Sequence, residues 1–410
     1  MHLLTTVILS LTLNSSIQQT PSYKYEVDGY LRLTASSFTP NRFLGVKWPA
    51  DPPTTLFDTQ APNANNPYVG KNDGFSLSDA RVNLRALLGE KLYIRMGFDG
   101  AIASYPDSDS TVGHLTTGLK DAYVRYNVNS STQLFAGRFK PPFDTEELTS
   151  ANNRTFVHNS LESRGVKHHE GYHADIIGFA PKREIGIMLA NSNLFELSTT
   201  KFGYAVALTN GNGGDNTIND NDLPALYFRL TNSWGETAKQ DDEEGPATYN
   251  PQKNGGLIGL STYVNQQTYG IPPNRFHNRV YGAGIDFAVN YFSYTLQGQL
   301  LMNQIEHLQT IDSLKEYSVG GHGQISKFFQ SSNISLGYRL SWYNPRILLA
   351  EDSNQDSADY DEILHHTIGI KYFAKELPVI FLAEYTSSLE SVARALPNNR
   401  VEVAMQVVFK

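Results

Sequence analysis

The chain contains no cysteine, so neither a structural disulfide nor a thiolate metal site can be built from it. That absence is neutral about compartment, because many exported proteins also avoid free thiols. Beyond the N-terminus there is no apolar run of about 18 residues, the length a transmembrane helix requires. This argues against an α-helical membrane protein. A basic excess is missing too: 33 Lys and Arg stand against 41 Asp and Glu, a formal net charge of -8. Nothing in that balance points to nucleic acid. No Ser/His/Asp constellation, P-loop or glycosidase-like carboxylate pair stands out among the 410 residues.

Tyrosine (23), phenylalanine (21) and glycine (32) are plentiful, whereas tryptophan is scarce (3). With a mean hydropathy of -0.36, this composition suits an all-β protein. It also suits a transmembrane β-barrel, whose polar lumen lowers the mean. Leu3 to Leu13 resembles the apolar region of a signal peptide, expected over residues 1–19, with the barrel domain over 20–410. No Lys or Arg precedes this stretch and no A-x-A site follows it, and a first strand or hydrophobic tail is the alternative.

The dominant pattern has period 2, the strand signal. In "DARVNLRALL", Ala80, Val82, Leu84, Ala86 and Leu88 point one way, and Asp79, Arg81, Asn83 and Arg85 the other. "KLYIRMGFDG" returns after Gly89-Glu90, with Leu92, Ile94, Met96 and Phe98 against Lys91, Arg95 and Asp99. Later segments repeat the alternation, up to Val401, Val403, Met405, Val407 and Phe409. A soluble sandwich alternates in the same way. Long strands, with short turns at one end (Gly89-Glu90, Asn129-Ser130, Asn290, Ser331-Ser332, Lys375-Glu376) and long polar connections at the other, indicate an outer-membrane barrel instead. Seventeen segments alternate. An up-and-down barrel with both ends on one side needs an even number, so the segment around Ala174–Phe179, inside a long connection, is excluded and sixteen remain. The acidic stretch Lys239–Lys253 then falls on the short-turn side and reads as a solvated connection.

If the apolar face meets lipid, the other lines the lumen. An arginine facing lipid at mid-membrane costs about 2–4 kcal/mol. Arg81, Arg85, Arg95, Arg125 and Arg138 are therefore expected to point inward, with Arg229 and Arg339 across the barrel. Guanidinium groups in a pore attract anions and suit phosphate or carboxylate through their planar fork. Asp79, Asp99 and Asp121 share these faces, so cross-strand pairing that merely braces the wall is an equal alternative.

"GRFKPPFDTEELTS" ends one of these strands. Pro141 and Pro142 lack amide hydrogens and cannot continue the ladder, so the wall should release a loop here, with Arg138 inside and Phe139 towards lipid. This segment, with "DARVNLRALLGEKLYIRMGFDG", "REIGIML" and "YAVALTNGNGG", resembles the phosphate-selective porin O and P family, a likeness running from about Phe75 to the C-terminus. The resemblance implies a 16-stranded antiparallel barrel in the outer membrane of a Gram-negative-type bacterium, surrounded by lipid and assembled as a homotrimer. It implies a third long loop folded into the lumen, where basic side chains bind an anion such as phosphate. Arg138 and Lys140 stand at the root of that loop, and Arg154, Arg164 and Lys167 are candidates on it. Part of Asp144–Asn159 is expected inside the pore. Barrels of this kind commonly end in an aromatic residue, and here Phe409 is followed by Lys410.

One motif competes. "HEGYH", His169 to His173, matches the zinc-binding H-E-x-x-H pattern, which would make the chain a metallohydrolase. Gly165 and Gly171 and the lack of helical periodicity argue against the helix this motif needs. The expected function is passive diffusion of small hydrophilic solutes, leaning to anions, with no enzyme activity, metal or cofactor. A barrel plugged by its loops, serving structure or binding, is the main alternative.

Overall fold

The computed structural model describes residues 23–39, 74–104, 114–149, 154–164, 166–167, 176–177, 179, 181, 183–211, 223–235, 254–269, 276–308, 315–347, 362–390 and 399–409. The first strands are β1 (Tyr23–Thr39), β2 (Gly74–Leu88), β3 (Leu92–Ser104), β4 (His114–Asn127) and β5 (Thr132–Phe139). A connection follows, carrying α1 (Thr145–Leu148), α2 (Leu161–Arg164), β6 (Val166–Lys167) and β7 (Ile176–Ile177). The wall resumes with β8 (Glu184–Leu197), β9 (Thr200–Thr209), β10 (Ala225–Gly235), β11 (Gly255–Tyr269), β12 (Phe276–Tyr291) and β13 (Tyr294–His307). It ends with β14 (Lys315–Phe329), β15 (Ile334–Ile347), β16 (Ile363–Phe373), β17 (Val379–Glu390) and β18 (Asn399–Phe409).

Sixteen of these strands pair antiparallel in chain order, β5 with β8 across the connection, and β18 pairs with β1 to close the barrel. Closure removes every free edge, as a lipid environment demands of a sheet. The seventeenth alternating segment is not in the wall: Ile176–Ile177 pairs only with Val166–Lys167. No helix among the described residues is long and apolar enough to cross a membrane. The connection 236–254, which contains the acidic stretch, joins strand ends on the short-turn side. One turn differs from expectation. β12 continues through Tyr291, and the bend falls on Phe292 and Ser293, both at positive φ (44° and 70°). A type I′ hairpin turn requires this backbone, but its usual Asn-Gly or Asp-Gly signal is absent.

The barrel is inside out relative to a soluble protein. Val82, Leu84, Met96, Val124, Leu260, Leu300 and Met405 are exposed on its outer surface. Arg32, Asn83, Arg95, Asp99, Asp121, Arg229, Arg339 and Glu402 are buried on the inner one. The lumen is not uniformly polar, however. Tyr93, Tyr123, Phe135, Phe139, Met188, Tyr227 and Tyr343 belong to an apolar cluster inside the barrel, together with Phe143, Leu161 and Phe179 of the connection.

Candidate functional site

The connection after β5 turns at once. Pro141 and Pro142 end the ladder, and the Phe143 amide donates to the Pro141 carbonyl at 2.8 Å. Asp144 sits at φ 61°, and its Oδ1 accepts from the amides of Glu146 and Glu147, capping α1. The chain then spreads across the inner wall. The Phe143 ring meets Tyr263 of β11 edge-on, with centroids 4.8 Å apart. The Arg339 guanidinium of β15 lies 4.4 Å from the Phe156 ring centre and donates to Glu146 at 3.2 Å and to the His158 carbonyl at 3.0 Å. The Val157 amide donates to Glu384 of β17 at 2.8 Å, and the Val157 carbonyl accepts from Arg32 of β1 at 3.4 Å. His158 meets Glu402 of β18 at 2.9 Å. Glu162 meets His322 of β14 at 2.5 Å and Gln299 of β13 at 3.1 Å.

Burial and the nearby Glu146 carboxylate push the Asp144 carboxyl up to about 7. Glu147 is half-buried, and Lys140 and Arg154 outweigh its desolvation and hold its carboxyl below the usual carboxylate range.

Beside the root of this loop stands a basic arc. Arg81 reaches Asp79 at 3.4 Å and Asp99 at 3.6 Å. Arg85 meets Asp28 at 2.9 Å, and Arg95 meets Asp121 at 3.5 Å. Arg125 stacks over the Tyr93 ring at 4.3 Å. Lys140 donates to the Glu147 carbonyl and lies 3.8 Å from its carboxylate. Cross-strand bracing is therefore realised at Arg81, Arg85 and Arg95. The arc still carries a surplus of positive charge: Lys24, Arg32, Arg81, Arg85, Arg95, Lys120, Arg125, Lys140 and Arg183 are nine cations, against Glu26, Asp28, Asp79, Asp99, Asp121 and Glu147, six anions. Arg229 and Arg339 do lie across the barrel, the first in a two-pronged pair with Asp286 at 2.6 and 2.7 Å.

One placement is corrected. Arg138 pairs directly with Ala122 and Ile185 on the outer face, beside the exposed Leu134, whereas Phe139 is buried on the inner face. The lipid penalty that argued for the reverse applies at mid-membrane. Arg138 is one residue from the loop end of β5, where a long side chain reaches the polar rim, and its Nε donates to the Lys120 carbonyl at 3.1 Å.

On the loop, Arg154 donates to the Thr149 carbonyl at 3.3 Å and lies 4.0 Å from Glu147. Arg164 ends α2, half-buried. Lys167 belongs to β6, and its side chain lies outside the described residues, as does the whole of His169 to His173.

Sequence reasoning missed Arg32, Lys120, Arg183, His158 and His322. The period-2 parity of β1, which sets Arg32 beside Tyr30 and Thr34, carried a signal for the first. The two histidines matter only through partners 160 to 244 residues away, which no local pattern encodes.

A closed sixteen-stranded barrel with an apolar outer belt, a charged inner wall and a connection reaching across that wall defines an outer-membrane channel of the porin type. The chain matches the family model "Phosphate-selective porin O and P" over residues 57–318, and it belongs to that family. Among curated proteins no sequence matches it. Of solved structures, it is similar to the outer membrane channel DcaP of Acinetobacter baumannii (13% identity, 95% of this chain and 98% of that one, TM-score 0.56). It is also similar to the outer membrane protein OmpT of Vibrio cholerae in a trimer form (8%, 95% and 100%, TM-score 0.54). A third likeness is to an anion-selective porin from Comamonas acidovorans (12%, 95% and 100%, TM-score 0.53). At these identities the likeness is one of fold. Family and fold are those of non-enzymatic channels in the outer membrane.

Proposed function

We propose that the chain forms a water-filled diffusion channel selective for small anions such as phosphate, working as a homotrimer. The observation that carries this reading is the charge surplus on the inner arc formed by β1–β4 with the adjoining Lys140, Glu147 and Arg183, nine cations to six anions. In a narrow, partly desolvated passage such a surplus raises the local anion concentration and lowers that of cations. Guanidinium groups replace part of an anion's hydration shell, and their existing carboxylate partners keep binding loose enough for release. The connection after β5 sets the bore by occupying the rest of the cross-section. Family membership and the anion-selective and trimeric relatives agree with the proposal.

Reconstitution into a planar bilayer tests it. A salt gradient should give a reversal potential of the sign for anion flux, and added phosphate should reduce chloride current. Cation preference would overturn the selectivity. A second reading, a plugged barrel serving structure or binding, is favoured by the apolar cluster inside the lumen. Absence of any single-channel current would decide for it.

A further inference from the structure

Where the connection meets β13 and β14, Glu146, Glu162 and His322 converge, with one donor atom from each lying within 4.8 Å of the others. This is comparable with the roughly 4 Å across one zinc coordination sphere. All three residues are buried, Glu162 completely. A single hydroxyl, Ser160 Oγ, stands 2.5 Å from Glu146 Oε2 and 2.7 Å from Glu162 Oε1. The Ser160 amide also donates to Glu146 Oε2 at 2.5 Å, which leaves the single hydroxyl hydrogen for Glu162 Oε1. Glu162 Oε2 has no hydrogen-bond partner. Neither does Gln299 Oε1, although the nitrogen of the same buried amide touches Glu162 and Ser163 at 3.1 and 2.8 Å. The Arg339 guanidinium reaches Glu146 only through Oε1, at 3.2 Å.

Hydrogen bonds within the protein therefore satisfy both Glu146 oxygens and Glu162 Oε1, which meets His322 Nδ1 at 2.5 Å, and leave Glu162 Oε2 and Gln299 Oε1 bare; such bare buried acceptors are costly. We infer that this cluster binds one divalent cation of the zinc type, through Glu146, Glu162 and His322 with the Gln299 amide oxygen as a further donor. One imidazole nitrogen with carboxylate oxygens suits zinc better than calcium or magnesium, which prefer oxygen alone. The ion acts as a structural clamp: it ties α1 and α2 of the connection to β13 and β14. Its ligands do not include His169 or His173, and its role is independent of which solute crosses the barrel.

The test uses the full barrel in detergent, without an affinity tag and stripped by chelator. Zinc chloride is titrated by calorimetry, and retained metal is counted after dialysis. One zinc per chain is expected, with at least tenfold weaker binding of magnesium and calcium chloride. His322→Gln and Glu162→Gln should each weaken zinc at least tenfold, whereas the double variant His169→Ala/His173→Ala and His158→Gln should bind like wild type. Should the buried variants misfold, the wild type still answers: cobalt(II) at the site should give the visible absorption of a nitrogen–oxygen site, unchanged in the His169/His173 and His158 variants. No stoichiometric zinc in the wild type, or binding lost in either of these control variants, overturns the inference. Binding that persists in a folded His322→Gln or Glu162→Gln protein also overturns it.

Discussion

Gly337 of β15 and Gly369 of β16 stand directly opposite one another in register on the inner wall, and the Phe156 ring packs against both. A Cβ built on Gly337 would lie 3.1 Å from Phe156 Cζ, and one on Gly369 would lie 2.7 Å from Phe156 Cδ1. Two missing side chains thus form the notch that seats the loop. Gly369→Val should fill it and expel the ring while leaving the strand ladder intact. The expected result is a larger single-channel conductance and faster proteolysis within residues 154–164, with the barrel still closed. Phe156→Ala should act in the same direction, weakening loop docking by about 3 kcal/mol.

The basic arc makes a directional prediction. Asp99 holds Arg81 at 3.6 Å and Lys120 at 3.7 Å. Asp99→Asn removes one negative charge from the arc and should shift the reversal potential further towards anions. Arg81→Gln and Arg95→Gln should shift it the other way. Equal potentials in all three would disconnect the arc from selectivity.

Arg138 serves as the matched contrast. Because it lies on the outer face, Arg138→Gln should leave reversal potential and phosphate block unchanged, although its neighbour Lys140 belongs to the arc. A selectivity change in this variant, measured in the same bilayers, would contradict the outward placement.

Arg229 and Asp286 form a fully buried two-pronged pair. Removing one partner leaves the other charge buried alone, at a cost of about 3–5 kcal/mol. Asp286→Ala should lower the heat-modification temperature of the folded barrel on gels, and Arg229→Met/Asp286→Leu together should recover most of it. Selectivity should stay the same in the double variant, since the pair is neutral overall.

The barrel was legible in the sequence because lipid on one face and a charged lumen on the other impose a period of 2 on every strand. The parity of β5 was not legible. "LFAGRF" places Leu134 and Ala136 outside and Phe135 and Phe139 inside, so both faces are apolar and the alternation disappears. The rule that apolar means lipid fails where the lumen holds a core of its own. The loop's destination was hidden for another reason. Pro141 and Pro142 mark where it leaves the wall, but Arg339 and Glu146, which anchor it, are 193 residues apart.

Val157 takes a hydrogen bond from Arg32 on the first strand and gives one to Glu384 on the last strand but one. Between those two strands lies β18, which pairs with β1 where the first and last strands of the barrel meet. A residue from the middle of the chain thus spans the seam where the cylinder shuts. Opening that seam requires Val157 to let go of one side, so the loop works as a clasp as well as a constriction. Docking of the loop and closing of the wall are then steps of a single cooperative event.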